Sequence, residues 1–187
     1  REQAIKAAIQ IVDSVAAFNQ QHPGNELPTR IGLHYGVMVI GNVGAVDHYE
    51  YRAVGDIVNT TSRIEGLCKY LGIRLLASAD VIEGLQGFDS PFVGCFILKG
   101  KTVGLPLYEI GAQNIANRNA RTKMWQQFSD ALNLFQQGQW ADACAAFVQI
   151  LETHADDGPS SFYRHYCEKH QCTPPENWQG VIHMQDK

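Results

Sequence analysis

The chain has 187 residues, 45% of them hydrophobic and 18% charged, with a net charge of −4. That is enough to bury one ordinary core with a small appended unit. The acidic balance argues against a surface that binds nucleic acid through bulk charge, although a nucleotide pocket needs only two or three local cations. Five cysteines, Cys68, Cys95, Cys144, Cys167 and Cys172, are odd in number and mostly far apart, which points to a reducing, cytoplasmic setting rather than a disulfide scaffold. No apolar run is long enough to span a bilayer, and no signal-peptide pattern opens the chain.

In chain order, Ile5, Ile9, Val12, Val15, Ala16 and Phe18 recur at helical intervals, and His22-Pro23-Gly24 stops them, so residues 2–21 are expected to form a helix. The chain opens inside this amphipathic segment with Arg1-Glu2-Gln3, which suggests that the parent protein carries an upstream portion. Residues 29–34 and 37–42 read as two strands hinged at Gly36, a hairpin. Residues 49–54 form a further strand that Gly55 ends.

Asp56 is placed to cap a helix in which Ile57, Ile64, Leu67, Cys68 and Leu71 face a sheet, and Gly72 supplies the left-handed terminus. A short buried strand over 73–77 and a helical turn over 79–84 follow. A closing hairpin of 92–98 and 105–110 then turns around Lys99-Gly100-Lys101. Mixed strands and helices give an α+β class.

Beyond Gly111 the composition changes. Residues 112–121 are polar and Asn-rich, as a linker would be, and divide a unit over 1–111 from a helical extension and tail over 122–187. Phe128, Ala131, Leu132, Leu134 and Phe135 form one helical stripe, and Trp140, Ala143, Phe147, Ile150 and Leu151 another after Gly138. Gly138, Ala143 and Phe147 resemble the interhelix glycine, small contact residue and aromatic of a single tetratricopeptide unit. One such unit cannot bury both faces alone, so it is expected to dock on the preceding body, on a protein partner, or on a third helix over 159–169. The segment from Pro174 reads as an extended tail, and Trp125, Trp140 and Trp178 as packing anchors.

The chemistry concentrates in Gly55-Asp56-Ile57-Val58-Asn59-Thr60-Thr61-Ser62-Arg63, which sets an amide and a guanidinium four residues apart on one helical face. A fixed arginine beside a reacting phosphate supplies charge where a phosphoryl transition state develops it. With Arg30-Ile31-Gly32-Leu33-His34-Tyr35-Gly36 before it and Lys99-Gly100-Lys101 after it, this stretch resembles the class III adenylate/guanylate cyclase catalytic domain from about Gln3 to Ile110.

The resemblance implies a ferredoxin-like sheet with covering helices, lacking its N-terminal strands, that works as a head-to-tail homodimer on ATP or GTP. It implies that Arg63 contacts the α-phosphate, Asn59 holds the ribose and Lys99 neutralises the outer phosphates, with Lys101 a solvated neighbour. The family's Mg²⁺ or Mn²⁺ ions are held by two aspartates on strands expected upstream, so no metal ligand is assigned here and Asp56 is read as a cap. Arg52 departs from the Asp or Thr of adenine-specific relatives. It is a candidate for the base pocket, by hydrogen bond to either purine, or else a partner for Glu50.

The surrounding Tyr49–Asp56 stretch looks like a bacterial branch whose parents are often membrane-tethered through an upstream sensor. His34 and Tyr35 read as core or pocket-wall groups. His165, Cys167, His170 and Cys172 have spacings unsuited to one zinc site on a helix, so packing of Cys167 is expected instead. The Gly-Gly-acidic signature of diguanylate cyclases is absent, and Gly41-Asn42-Val43-Gly44 lacks the Lys-Ser/Thr of a phosphate loop. The competing reading is a non-catalytic module that uses the cyclase-like fold and the helical pair to bind a protein partner.

Overall fold

The computed structural model describes residues 1–45, 48–111 and 118–184. Seven strands and six helices follow one another as α1 (Glu2–Gln21), β1 (Ile31–Leu33), β2 (Val39–Ala45), β3 (His48–Val54), α2 (Asp56–Leu71), β4 (Leu75–Ser78), α3 (Ala79–Ile82), β5 (Phe92–Ile97), β6 (Leu105–Glu109), α4 (Arg118–Gln136), α5 (Trp140–Thr153), α6 (Gly158–Lys169) and β7 (Ile182–His183). The main sheet has the order β1-β4-β6-β5-β7, and β2 and β3 form a separate two-stranded ribbon. Among the described residues no helix is long and apolar enough to cross a membrane.

Strand β4 shows how the sequence builds the layers. Its residues are all buried because it lies between β1, to which it is parallel, and β6, to which it is antiparallel. Successive side chains point to opposite faces. Leu75 and Ala77 therefore join Ile5 and Ala8 of α1, whereas Leu76 joins Ile64, Leu67 and Leu71 of α2. The second face also receives α4, α5 and α6, so one apolar cluster runs from Leu76, Phe96 and Leu107 to Phe128, Phe135, Trp140 and Phe147.

The hairpin expected over 29–42 does not form. β1 pairs in parallel with β4, and β2 pairs instead with β3, from Val39 opposite Val54 to Ala45 opposite His48. The Gly36 region changes sheets rather than turning back. β1 carries helix α2 close against it: a Cβ at Gly32 would lie 2.6 Å from the backbone nitrogen of Glu65 and 2.9 Å from the carbonyl oxygen of Thr61. Since neither backbone atom can yield without moving α2, Gly32→Ala is expected to destabilise by about 1–3 kcal/mol, measurable as a lower urea midpoint. An unchanged midpoint would mean that α2 does not press on β1 at this distance.

Two other expectations need correction. Asp56 is the first residue of α2 and caps nothing; no side chain caps this end, and its carboxylate is taken by Lys101. The tail is not merely extended: Ile182 and His183 pair in parallel with Phe96 and Ile97, Ile182 is buried, and Met184 N–H donates to the Ile97 carbonyl at 2.9 Å.

Trp178, as expected of an anchor, packs on Phe135 and Trp140, and its Nε1–H is shared by the carbonyls of Phe135 and Gln136. Trp140 is likewise buried, while Trp125 lies beneath the Arg121 guanidinium. Of the expected linker, residues 112–117 lie outside the described residues, and Arg118–Arg121 belong to α4. The α4–α5 pair turns at Gly138 (φ +82°), and Ala143 and Phe147 are fully buried. It docks on both the sheet and α6.

Candidate active site

Helix α2 positions the polar pair. Its buried positions, Thr60, Ile64, Leu67, Cys68 and Leu71, lock the helix to the sheet and leave the Asn59 and Arg63 face outward, with Asn59 exposed and Arg63 half-buried. Thr60 and Thr61 consume their own hydroxyls locally, donating to the carbonyls of Asp56 and Ile57 at 3.0 and 2.8 Å. They therefore do not compete for Asn59 or Arg63.

The β5–β6 turn meets this face. The Arg63 guanidinium lies over Gly100, its Nη2 and Nη1 atoms 3.7 and 3.9 Å from where a Cβ there would stand. Arg63 and Lys99 together line a cavity of about 610 Å³, closed on its apolar side by Leu67, Tyr70, Leu98 and Met184. Among the described residues neither cation has an ion pair. The third charged residue of the lining, Glu65, has its carboxylate 3.3 Å from the Arg30 guanidinium, so the two cations remain to attract an anion more strongly than the same charges would on an open surface. Asn59 lies one turn toward the start of the helix, outside this cavity but on the same helical stripe.

What the sequence reading missed is the clamp beside the cavity. Lys101 is no solvated bystander: its ammonium binds the Asp56 carboxylate and holds that carboxyl below its usual range. The contact ties the start of α2 to the β5–β6 turn and so registers Gly100 and Lys99 against Arg63. Forty-five positions separate the two residues, so no local pattern could have paired them.

His34 approaches the same corner. Its Nδ1 is 2.8 Å from Ser78 Oγ and 3.9 Å from an Asp80 carboxylate oxygen, and burial lowers its pKa against the opposing pull of Asp80. It is half-buried but does not line the Arg63–Lys99 cavity, whereas Tyr35 is exposed beneath the Arg1 guanidinium, 5.2 Å from the ring centre, and belongs to no core.

Arg52 lies on the β2–β3 ribbon, outside the cavity, with its guanidinium on Glu50. Among the described residues no group of three or more His, Cys, Asp or Glu side chains is arranged to hold a metal ion. Cys167 is buried in the main core, where it packs, and burial pushes its thiol up to about 12. All five cysteines are free.

The family model for the adenylate and guanylate cyclase catalytic domain matches residues 1–111, the part of the chain that builds this cavity apart from Met184. The chain belongs to that cyclase family. The cyclase domain here is similar to adenylate cyclase 1 of Rhizobium meliloti, with 36% identity over 114 residues, covering 58% of this chain and 17% of that protein. An adenylate cyclase of Anabaena cylindrica is 30% identical over 120 residues, covering 58% and 24%. A receptor-type guanylate cyclase of Caenorhabditis elegans is 39% identical over 98 residues, covering 51% and 9%.

The chain therefore spans less than a quarter of the length of each of these cyclases. A bacterial light-regulated adenylyl cyclase shares the fold, with a TM-score of 0.51 at 24% identity, covering 67% of this chain and 38% of that one.

Proposed function

We propose that this chain supplies the transition-state half of a nucleotidyl cyclase site, converting ATP or GTP to the 3′,5′-cyclic nucleotide. The ribose 3′-hydroxyl attacks the α-phosphorus, a new P–O3′ bond forms, the bond to pyrophosphate breaks, and the hydroxyl proton passes to water. Negative charge spreads over the α-phosphoryl oxygens as this happens. Arg63 meets that charge, Asn59 orients the ribose from the neighbouring helical turn, and Lys99 neutralises the leaving pyrophosphate. Arg52 is a candidate contact to the purine from the ribbon, and ATP is the default substrate. Mg²⁺ or Mn²⁺ serves the family's reaction, but no described cluster in this chain fits it, and no step is assigned to the ion.

The observation that carries this reading is the shared cavity of Arg63 and Lys99, two unpaired cations on separate elements held in register by the Asp56–Lys101 clamp. A purely structural descendant would have no use for that cost in repulsion. A second copy of the chain completes the site in this reading. The ribbon and the segment leading into it support it, since Val37, Met38, Val39, Ile40, Tyr49 and Tyr51 all stand exposed, and clustered exposed apolar side chains mark interaction surfaces.

The test is steady-state kinetics on the full-length protein with ATP and with GTP. Lys99→Ala is expected to raise KM about tenfold or more, the value of one charge-assisted contact to phosphate, and specific activity should rise with protein concentration as protomers pair. An unaltered KM for both nucleotides would remove Lys99 from the site.

A further inference from the structure

A second cavity, of about 640 Å³, opens on the far side of Tyr70 and Met184, two residues that also line the Arg63–Lys99 cavity. Apart from Tyr70 it is built wholly by α6 and the C-terminal segment, outside the residues matched by the cyclase family. Its volume lies in the range that encloses a drug-sized or mononucleotide-sized molecule.

Its walls have a consistent chemistry. Tyr166 and Trp178 offer aromatic surface, and Trp178 is fixed in place because its ring meets Phe135 and Trp140 in T-shaped contacts and its N–H is shared by the carbonyls of Phe135 and Gln136. His165 and Lys169, one turn apart on α6, are exposed at the rim, and neither has an ion pair or side-chain hydrogen bond among the described residues. His170 and His183 add imidazoles, each of which keeps at least one N–H donor in any protonation state.

No Asp or Glu lines this cavity, although the chain as a whole is acidic. At the end of α6 the carbonyls of Cys167 and Glu168 accept from the amides of His170, Gln171 and Cys172, and Lys169 places a cation in the last turn.

We propose that this cavity binds a planar aromatic anion of mononucleotide size, its ring on Trp178 and Tyr166 and its charged group at His165 and Lys169. Tyr70 and Met184 are shared by both cavities. The proposal stands on the C-terminal cavity alone and does not require the cyclase reading.

AMP is the probe, titrated calorimetrically into the full chain, with adenosine as the uncharged control. AMP is expected to bind the Arg63→Ala/Lys99→Ala variant as it binds the unmodified chain, and to bind His165→Ala/Lys169→Ala at least tenfold more weakly. Adenosine should bind more weakly than AMP, and AMP should quench tryptophan fluorescence in the chain but not in Trp178→Phe. Lys169→Gln, which keeps the length of the side chain, guards against a folding artefact. Binding lost in Arg63→Ala/Lys99→Ala but kept in His165→Ala/Lys169→Ala would place AMP in the catalytic cavity alone and overturn the proposal, as would no binding of AMP to any form. Either result leaves the kinetic test of Lys99 untouched.

Discussion

Arg63→Ala is expected to lower the turnover of the full-length cyclase by on the order of 10²–10³-fold, the loss that follows removal of one preorganised charge from a phosphoryl or acyl transition state. KM should move far less, because in the proposed role the guanidinium would act on charge that develops only as the α-phosphorus is attacked. Arg63→Lys should recover little, since a compact ammonium on a different stem does not reproduce the planar fork.

The fold gives a clean control. Arg63 carries no ion pair among the described residues and its guanidinium rests over Gly100 rather than in the core, so the thermal midpoint should be almost unmoved. Turnover retained within a factor of a few, with cyclic nucleotide measured directly, would end the assignment of Arg63 to the transition state.

The largest effect on stability is expected from Phe135→Ala. Phe135 is fully buried at the end of α4, and its ring lies 4.9 Å from Trp140, 4.9 Å from Tyr163 and 5.1 Å from Trp178 by centroid. Truncation removes a ring from a cluster whose other members are held by distant parts of the chain, so collapse around the hole is restricted. A loss of about 3–5 kcal/mol is expected. Urea unfolding would measure it, and amide exchange at Ile182 would report whether β7 loosens with it. Because the same apolar cluster continues into Leu76 and Phe96 of the sheet, body and extension should unfold in one transition. Two separated transitions in the unsubstituted protein would contradict the apolar cluster shared by body and extension.

How much of this was legible from sequence depended on the range of the interactions. Helix α2 could be read almost to the residue, because its apolar spacing and Gly72 at φ +64° are local signals. The β5–β6 hairpin could be read for the same reason, whereas the meeting of Lys99 with the Arg63 face was implied only by the family resemblance. β1 and β2 were misjoined because Gly36 satisfies a turn locally, while the pairing that wins, β1 with β4, spans the whole of α2 and leaves no mark near either strand.

The Asp56–Lys101 clamp was hidden by the same distance, and the helix-capping signal at Asp56 suggested a different use for its carboxylate. In the tail, prolines and polar residues masked an edge strand only two residues long; Trp178 and the apolar Val181, Ile182 and Met184 after Gly180 were the signals.

That short strand carries a consequence for biogenesis. β5 is made early, yet the neighbour that seals its outer border, β7, is among the last residues described. While the ribosome is still supplying the helices, the border stays open, and an open strand border recruits whatever strand it meets. A premature stop after Gly180 should therefore produce clumping during translation, even though every residue matched by the cyclase family has already been made.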